Sequence, residues 1–504
     1  MRRIGEYYRE IGLVYGALKR SLIFVHRWLG VVLCLFFLLW FPSAIGMMYW
    51  DFPSVTAADR IARSPALDAA RVLVSPAEAY AAMGRPDAPA QARLLMYDGR
   101  PAYHFRAGRE EPVVYADTGE RRPRPSLEAM WSIAAAWTGQ PASDATIEAV
   151  DVDQWTVQGS YRALAPIWKY SWPDGQQVYV SQATGEVVQY TTTASRIGAY
   201  LGPIPHWLYF TPLRKHQPAW SRVVIWSSGL GTAAAILGLV IGVWMYSPSR
   251  RFRIAGTPSS FPYHGQKFWH AALGLMFGVG AATWAFSGML SMDPFPMPRA
   301  AAPASIMQAL RGRLQLPAFA RRPPRAALEQ LASFDVKELE LTSVAGEPVY
   351  VATLGGGDTR LVPLDGPPGQ EFDRARLQDV VKRAAGKTGL AELRVLDQYD
   401  MYYLDRHRQR PLPVILARLN DAERTRYYID PKTARVVGTY SARSWVSRWL
   451  YHGLHSLDFP WLYNYRPLWD IVVIVFMLGG TGLCVTSLVL AWRVVGRKLT
   501  HEAV

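Results

Sequence analysis

Four long stretches of the sequence contain no charged residue, and no other feature constrains the fold as strongly. Each has about 22 to 25 residues, enough for a helix to cross a hydrocarbon core about 30 Å thick. A buried helix of that length in a water-soluble protein normally carries a polar stripe, which these stretches lack. The sequence therefore predicts an integral membrane α-helical fold with four transmembrane helices, at residues 22–50, 223–246, 268–292 and 471–492, where the uncharged part of the first begins at Trp28.

Short segments rich in Arg and Lys flank the predicted helices on one side. These segments are residues 1–21, 247–267 and 493–504. Short basic flanks stay in the cytoplasm, so both termini and the basic central loop are predicted to be cytoplasmic. Residues 51–222 and 293–470 then form two larger domains in the periplasm, and the chain is predicted to be a multi-pass protein of a bacterial inner membrane.

The basic flanks account for much of the formal net charge of +15 without a nucleic-acid partner. They do not form one continuous stripe, so the lipid bilayer is the expected partner and nucleic acid is not. The two cysteines, Cys34 and Cys484, lie in uncharged stretches, where a thiol is most simply a packing residue. Neither belongs to a C-x-x-C-H motif, so the sequence does not support a covalently attached c-type haem.

A shift of the chain by 244 or 249 residues places similar residues on one another, in the same order of helix, domain and helix. The matched pairs are His26 with His270, Trp40 with Trp284, Asp153 with Asp397, His206 with His455, and Trp220 with Trp469. Chance does not readily produce a nearly constant offset over such a distance. The sequence therefore predicts an internal tandem duplication, whose two copies are related by an axis along the membrane normal.

Both periplasmic segments contain patterns that are typical of β-hairpins beside short helices. Val and Tyr residues around turn residues predict hairpins at residues 101–120, 174–188 and 424–437. Amphipathic patterns predict short helices at residues 76–83 and 374–385. The two segments are therefore expected to be small α+β domains. Residues 294–325 are rich in Pro and Ala and are expected to form a linker or an irregular loop.

Three features together resemble the PepSY-associated transmembrane family. They are Thr-Gly-Glu turns at residues 118–120 and 184–186, a helix containing His26-Arg-Trp-Leu-Gly30, and a histidine followed by a tryptophan before each return helix. The second copy departs from this pattern, because residues 431–434 lack the turn glycine and His270 is not followed by Arg-Trp. The resemblance implies that both periplasmic domains are PepSY-like.

The resemblance also implies two kinds of function. Some members of the family resemble haem-containing inner-membrane reductases of ferric siderophores, which serve iron uptake, whereas soluble PepSY domains are associated with peptidase inhibition. The chain is therefore expected to be a transmembrane oxidoreductase or, alternatively, a non-catalytic protein that binds or inhibits a peptidase. A transporter is disfavoured, because the four spans contain almost no charged residue that could form a proton relay.

Histidines at equivalent positions of the two copies are the candidate ligands of haem iron. His26 and His270 lie at the cytoplasmic ends of the first and third helices, and His206 and His455 lie on the periplasmic side. Two neutral imidazoles on one haem iron form a low-spin electron-transfer centre. His452 lies three residues before His455 on the same helical face, and it is expected to be a substitute ligand or a polar neighbour.

A simpler interpretation is that these histidines anchor helix ends at the level of the lipid headgroups. Gly30 and Gly274 favour haem instead, because each lies four residues after its histidine and leaves room for a flat macrocycle. Two b-type haems, one near each membrane face, would then carry electrons outward to a ferric siderophore. The cytoplasmic segments contain no dinucleotide-binding motif, so the donor is expected to be a quinol or a separate cytoplasmic reductase. The sequence assigns no catalytic residue beyond these ligands.

Overall fold

The computed structural model describes residues 2–85, 87–108, 111–295, 304–405, 408–442 and 444–501. The α-helices are α1 (Arg2–Met47), α2 (Ala57–Arg63), α3 (Pro76–Ala81), α4 (Leu127–Thr138), α5 (Thr193–Leu201), α6 (Pro203–Trp207), α7 (Thr211–Arg214), α8 (Gln217–Met245), α9 (Gln266–Leu290), α10 (Ala304–Arg311), α11 (Pro324–Glu329), α12 (Arg374–Ala385), α13 (Leu454–Ser456), α14 (Pro460–Tyr463) and α15 (Leu468–His501). A π-helix spans Val446–Gly453, and short 3₁₀ helices span Ala69–Arg71, Ala142–Asp144, Gly159–Leu164, Leu316–Arg321 and Gly386–Thr388.

The strands fall into antiparallel sheets. They are β1 (Gln91–Tyr97), β2 (Arg100–Arg106), β3 (Val113–Tyr115), β4 (Thr146–Val150), β5 (Ile167–Ser171), β6 (Gln177–Ser181), β7 (Val187–Thr191), β8 (Phe252–Ile254), β9 (Thr257–Ser259), β10 (Val336–Val344), β11 (Glu347–Leu354), β12 (Thr359–Pro363), β13 (Leu390–Leu396), β14 (Val414–Leu419), β15 (Arg426–Asp430) and β16 (Arg435–Tyr440). Their orders are β12-β11-β10-β1-β2-β3, β4-β5-β6-β7, β13-β14-β15-β16 and β8-β9.

Four of the helices, α1, α8, α9 and α15, are long and apolar enough to cross a membrane. Their candidate spans are Tyr15–Met47, Gln217–Met245, Gln266–Leu290 and Leu468–Arg497. The prediction of four helices long and apolar enough to span a membrane is confirmed, as expected of a membrane protein. The helices extend beyond the uncharged stretches, because backbone hydrogen bonding continues through polar and basic turns at the ends of a span. For this reason α1 is continuous from Arg2, and α8 begins at Gln217 instead of residue 223.

The four long helices form a bundle in which α1 and α9 face each other diagonally. Each of these two helices contacts both α8 and α15. Glycines on α15 leave room for aromatic rings from the diagonal pair: a Cβ atom at Gly480 would lie 2.6 Å from the Phe41 ring, and one at Gly479 would lie 2.4 Å from the Phe277 ring. Aromatic rings of α1 and α9 therefore pack directly against the backbone of α15. The end that carries the large sheets is called the sheet end below, and the opposite one the basic end.

The two large segments share one six-stranded sheet. Strand β1 of the first segment pairs with β10 of the second, so that Ala92 lies opposite Leu341 and Leu94 lies opposite Leu339. One face of this sheet packs on a common apolar core, which includes the buried residues Leu94, Tyr103, Phe105, Phe319, Leu339 and Tyr350. The segments predicted as two periplasmic domains meet through a continuous hydrogen-bonded sheet.

The opposite face of the shared sheet carries ion pairs between the segments. Arg93 on β1 lies 3.3 Å from Glu338 on β10, and Arg435 on β16 pairs with Glu340. Both glutamates are at least nine-tenths buried. A buried carboxylate that lost its cation would be left unpaired, so these contacts bind the two segments to each other.

The remaining two large sheets have the same strand order and the same internal hydrogen bonds. The Tyr179 hydroxyl donates to Asp153 at 2.6 Å, and the Tyr428 hydroxyl donates to Asp400 at 2.9 Å. Each aspartate also accepts the backbone amides two and three residues further on. The sequence comparison had matched Asp153 with Asp397, whereas the structure gives the equivalent contacts to Asp400. That match was wrong because the offset between the two sheets is not constant.

The predicted hairpins and short helices are present, but the predicted linker is not. Residues 296–303 lie outside the described residues, and from Ala304 the chain forms α10, a 3₁₀ helix and α11. Ile306 and Leu310 of α10 are buried against α12, and Phe319 is buried under the six-stranded sheet. The apolar side chains of this stretch, spaced among Pro and Ala, give it a packed structure that its composition did not indicate.

Candidate functional site

The first predicted histidine pair meets inside the bundle at the basic end. His26 on α1 and His270 on α9 come from the diagonal helices, and their ring centres are 6.1 Å apart. A Cβ atom at Gly238 of α8 would lie 2.7 Å from His26 Cε1, so only glycine lets α8 approach this ring.

Both rings of this pair are held through Nδ1. His26 Nδ1 lies 2.9 Å from the carbonyl oxygen of Ala234, and His270 Nδ1 lies 3.2 Å from the hydroxyl of Thr486 and 3.3 Å from that of Ser487. A carbonyl only accepts, so His26 Nδ1 carries the hydrogen. The two hydroxyls donate to the Leu483 carbonyl and are left to accept from His270. In both rings Nε2 is then the unprotonated nitrogen, which is the form that binds a metal.

A cavity of about 570 Å³ surrounds this pair and opens at the basic end. Gly30 and Gly274 line it as predicted: a Cβ atom at Gly30 would have no neighbour within 4 Å, and one at Gly274 would have only Leu483, at 3.8 Å. The space beside both glycines is therefore open. Its charged lining residues, within the described part of the chain, are all basic: Arg27, Lys267, Arg493 and Arg497.

The second predicted pair meets at the sheet end. His206 lies on α6 and His455 on α13, and their ring centres are 5.9 Å apart. His206 Nδ1 lies 3.1 Å from the carbonyl oxygen of Trp40 and 3.3 Å from the hydroxyl of Ser43. His455 Nδ1 lies 3.0 Å from the hydroxyl of Ser287. Each ring is thus fastened to a transmembrane helix of its own half of the chain.

The same reasoning about donors assigns the protons of this pair. The Trp40 carbonyl only accepts, and the Ser287 hydroxyl donates to the Trp284 carbonyl at 3.1 Å, so His206 and His455 both donate from Nδ1. Removal from water lowers the pKa of His206 to about 4 and that of His455 to about 3. Both rings are therefore neutral at pH 7, and in each of them Nε2 is the unprotonated nitrogen.

Tryptophans fix the short helices that carry this second pair. Trp220 Nε1 donates to the Trp207 carbonyl at 2.8 Å, one residue after His206. Trp469 Nε1 donates to the Ser456 carbonyl at 3.0 Å, one residue after His455. The tryptophans that the sequence comparison paired therefore make equivalent hydrogen bonds, in which each return helix holds its own histidine segment.

The ring separations suit one metal atom between each pair. A metal bound to two Nε2 atoms at about 2.0 Å sets the ring centres about 6 Å apart, since each centre lies about 1 Å behind its nitrogen. No group of three or more His, Cys, Asp or Glu residues within the described ranges could hold a bare ion. Two opposed imidazoles in a cavity instead suit a metal whose other ligands come from a macrocycle. Cavities of cofactor sites hold about 300–1,000 Å³, and both of these fall in that range.

The two pairs lie at different depths of the bundle. His26 precedes Trp40 by 14 residues on α1, and His270 precedes Trp284 by 14 residues on α9. At 1.5 Å per residue, each helix rises about 21 Å between the level of the first pair and the level of the second. The sites are therefore separated by most of the thickness of a hydrocarbon core.

Several residues of the sites were not assigned from the sequence. Ser43 and Ser287 both accept a hydrogen bond from a histidine. Their signal was present, because they lie 17 residues after His26 and His270 and match at the same offset. Ala234, Thr486 and Ser487 had no such signal, because their partners lie more than 200 residues away.

His452 takes no part in either pair. It lies on the π-helix at the rim of the sheet-end cavity, which holds about 520 Å³, and its ring centre is 4.8 Å from that of Tyr451. Its place favours the prediction of a polar neighbour over that of a substitute ligand, because His206 and His455 already face each other.

Comparison of the chain with protein-family models, with curated proteins and with solved structures finds no match. The resemblance to the PepSY-associated family therefore stays a prediction.

Proposed function

We propose that this chain is a di-haem electron-transfer protein of a bacterial inner membrane, which reduces the ferric iron of siderophores in the periplasm. The observation that carries the proposal is the pair of facing imidazoles at each end of the bundle, with ring centres 6.1 and 5.9 Å apart. Histidines that only anchored helix ends would not be expected to form two facing pairs inside the protein.

Each pair would hold the iron of one b-type haem. Haem contributes a one-electron couple between ferrous and ferric iron. His26, His270, His206 and His455 would hold the iron through Nε2, and their Nδ1 partners would fix the planes of the rings. The low-dielectric interior would keep water from the iron at both depths. A separation of about 21 Å along the helices would divide the passage across the membrane into short transfers.

The proposed orientation follows from the basic flanks. Arg20, Arg27, Arg493 and Arg497 lie at the end of the bundle that holds His26 and His270, so this end would face the cytoplasm. The sheets and the second pair would then face the periplasm. Electrons would enter at the basic end from a quinol or from a separate cytoplasmic reductase, and they would leave at the sheet end.

The proposal includes a tandem duplication with PepSY-like domains. The recurring hydrogen bonds of Trp220 and Trp469, of Ser43 and Ser287, and of the two Tyr–Asp pairs support a common origin of the halves. Each half would supply one ligand to each haem. The alternative, a protein that only binds or inhibits a peptidase, would give no role to histidines paired within the membrane.

The absorption spectrum of the detergent-purified protein tests the proposal. Protein from haem-replete cells is expected to show the spectrum of low-spin haem with two histidine ligands, and the bands should sharpen and shift on reduction with dithionite. A ferric siderophore added to the reduced protein should return the oxidised spectrum. A colourless preparation would refute the proposal, and a haem spectrum that the siderophore leaves reduced would refute the reductase activity.

A further inference from the structure

A row of aromatic rings leads from the sheet-end histidine pair to the protein surface. The ring centres of His206 and His455 are 5.9 Å apart, those of His455 and Tyr451 are 5.3 Å apart, and those of Tyr451 and His452 are 4.8 Å apart. Tyr451 is half-buried and His452 is exposed, and both line the cavity. The row therefore connects a predicted ligand with the outside through direct ring contacts.

The charged lining of this cavity comes from the second half of the chain. Within the described residues, the charged side chains that line the cavity are Asp405, Arg410 and Asp458, which all belong to the second large segment. The first half lacks an equivalent rim, because an offset of 249 residues places Gly202 and Pro203 where the second half has Tyr451 and His452.

Backbone contact closes the corresponding face of the first half. A Cβ atom at Gly202 would lie 2.8 Å from the carbonyl carbon of Gly46, so α1 and the α5–α6 junction touch without side chains between them. In the second half the chain forms a π-helix at this place, which is a feature frequently found at functional sites. The two halves therefore differ at the place where a ligand would approach the histidine pair.

The π-helix is held in position by one buried arginine. Arg448 is 4% exposed, and it donates to Oδ1 of Asp458 at 2.9 Å and to the Asp458 carbonyl oxygen at 2.9 Å. It also donates to the Met401 carbonyl, in the loop that carries Arg410. Arg448 neutralises Asp458, and the Asp405 carboxylate accepts the backbone amide of Arg410 at 2.7 Å. The rim next to Tyr451 and His452 therefore offers the Arg410 guanidinium and an imidazole donor to a ligand, beside one carboxylate that is already hydrogen-bonded.

We propose that a ferric chelate docks over Tyr451 and His452, and that electrons leave the protein through this second-half face only. The inference rests on the proposed function. His206 and His455 would hold the haem that supplies one electron to the chelated ferric ion, which would become ferrous. The donor at the basic end would return that electron to the protein. No proton is transferred and no covalent bond is formed in this step.

The test uses full-length, haem-loaded protein that has been reduced with dithionite and freed of the excess. It is mixed rapidly with ferric nitrilotriacetate at several concentrations, and haem oxidation is followed by absorbance. Tyr451→Leu is expected to lower the saturating rate about tenfold or more, because the ring against His455 is lost. Tyr451→Phe keeps the ring and should keep the rate. His452→Gln should raise the half-saturating concentration about two- to tenfold.

Two matched variants change the same residue types on the other half. Tyr200→Leu alters an exposed tyrosine of α5, and His216→Gln alters a histidine that does not line the cavity. In both variants the haem is expected to be oxidised at the wild-type rate and with the wild-type half-saturating concentration. Unchanged kinetics in Tyr451→Leu and in His452→Gln, with full haem content, would overturn the docking site and leave the proposed function intact. If Tyr451→Leu loses haem, Tyr451→Phe and His452→Gln decide the question. A wild-type protein without haem would instead overturn the proposed function before any mixing.

Discussion

The hydroxyl of Ser287 is predicted to set the affinity of the sheet-end site. Ser287→Ala removes the acceptor that lies 3.0 Å from His455 Nδ1, while His206 keeps both the Trp40 carbonyl at 3.1 Å and Ser43 at 3.3 Å. A hydrogen bond of this kind contributes about 0.5–1.5 kcal/mol to stability. Loss of the bond that orients a metal-binding histidine lowers affinity about 10- to 100-fold, which corresponds to about 1.4–2.7 kcal/mol.

The assay is titration of haem-depleted, detergent-purified protein with haem, followed by absorbance. Ser287→Ala is expected to weaken one of two binding steps by about 10-fold or more, because the His455 ring is free to rotate and to exchange its protonated nitrogen. The matched control is Ser227→Ala, since the Ser227 hydroxyl is also buried but donates only to the carbonyls of its own helix. Two unchanged binding steps in Ser287→Ala would refute the role that the structure gives to Nδ1.

Two further predictions concern stability. His104 on β2 is fully buried beside Arg93 and Arg122. Its pKa is lowered to about 3, mainly because burial disfavours the charged imidazole and also because the two arginines repel it. The free energy of unfolding should therefore fall by about 1.4 kcal/mol per pH unit as the pH drops from about 6.5 towards 3. Thermal unfolding of His104→Phe should lack this pH dependence, and an equal pH dependence would contradict the role given to His104. Gly480→Ala is expected to lower the free energy of unfolding by about 1–3 kcal/mol, because its Cβ would lie 2.6 Å from Phe41. Gly482→Ala, whose Cβ would lie 3.5 Å from Leu273, should unfold as the wild type does, and equal midpoints for both variants would contradict the packing argument.

The transmembrane helices and the histidine pairs could be predicted from the sequence for different reasons. A helix in lipid forms all its backbone hydrogen bonds within itself, so the length of the uncharged stretches alone identified α1, α8, α9 and α15. The pairs could be selected because a tandem duplication, as predicted, would place equivalent residues at the same depth. In the structure His26 faces His270 and His206 faces His455, although ten histidines were available.

Contacts between distant parts of the chain could not be predicted in the same way. Pairing of β1 with β10 depends on which strand edges are left free after each segment folds, and no local pattern records that choice. Hydrogen bonds such as that of His26 to Ala234 depend on the rotation of two helices against each other. The match of Asp153 with Asp397 failed because it rested on a constant offset, whereas the hydrogen bonds like those of Asp153 are made by Asp400.

The number of haems per chain tests the central claim most directly. Haem is counted in purified wild-type protein, in His270→Ala, in His455→Ala and in the double variant, with protein measured independently. We expect two haems per chain in the wild type, about one in each single variant and none in the double variant, because each pair holds one iron. Unchanged haem content in both single variants, or its complete absence from the wild type, would contradict the account.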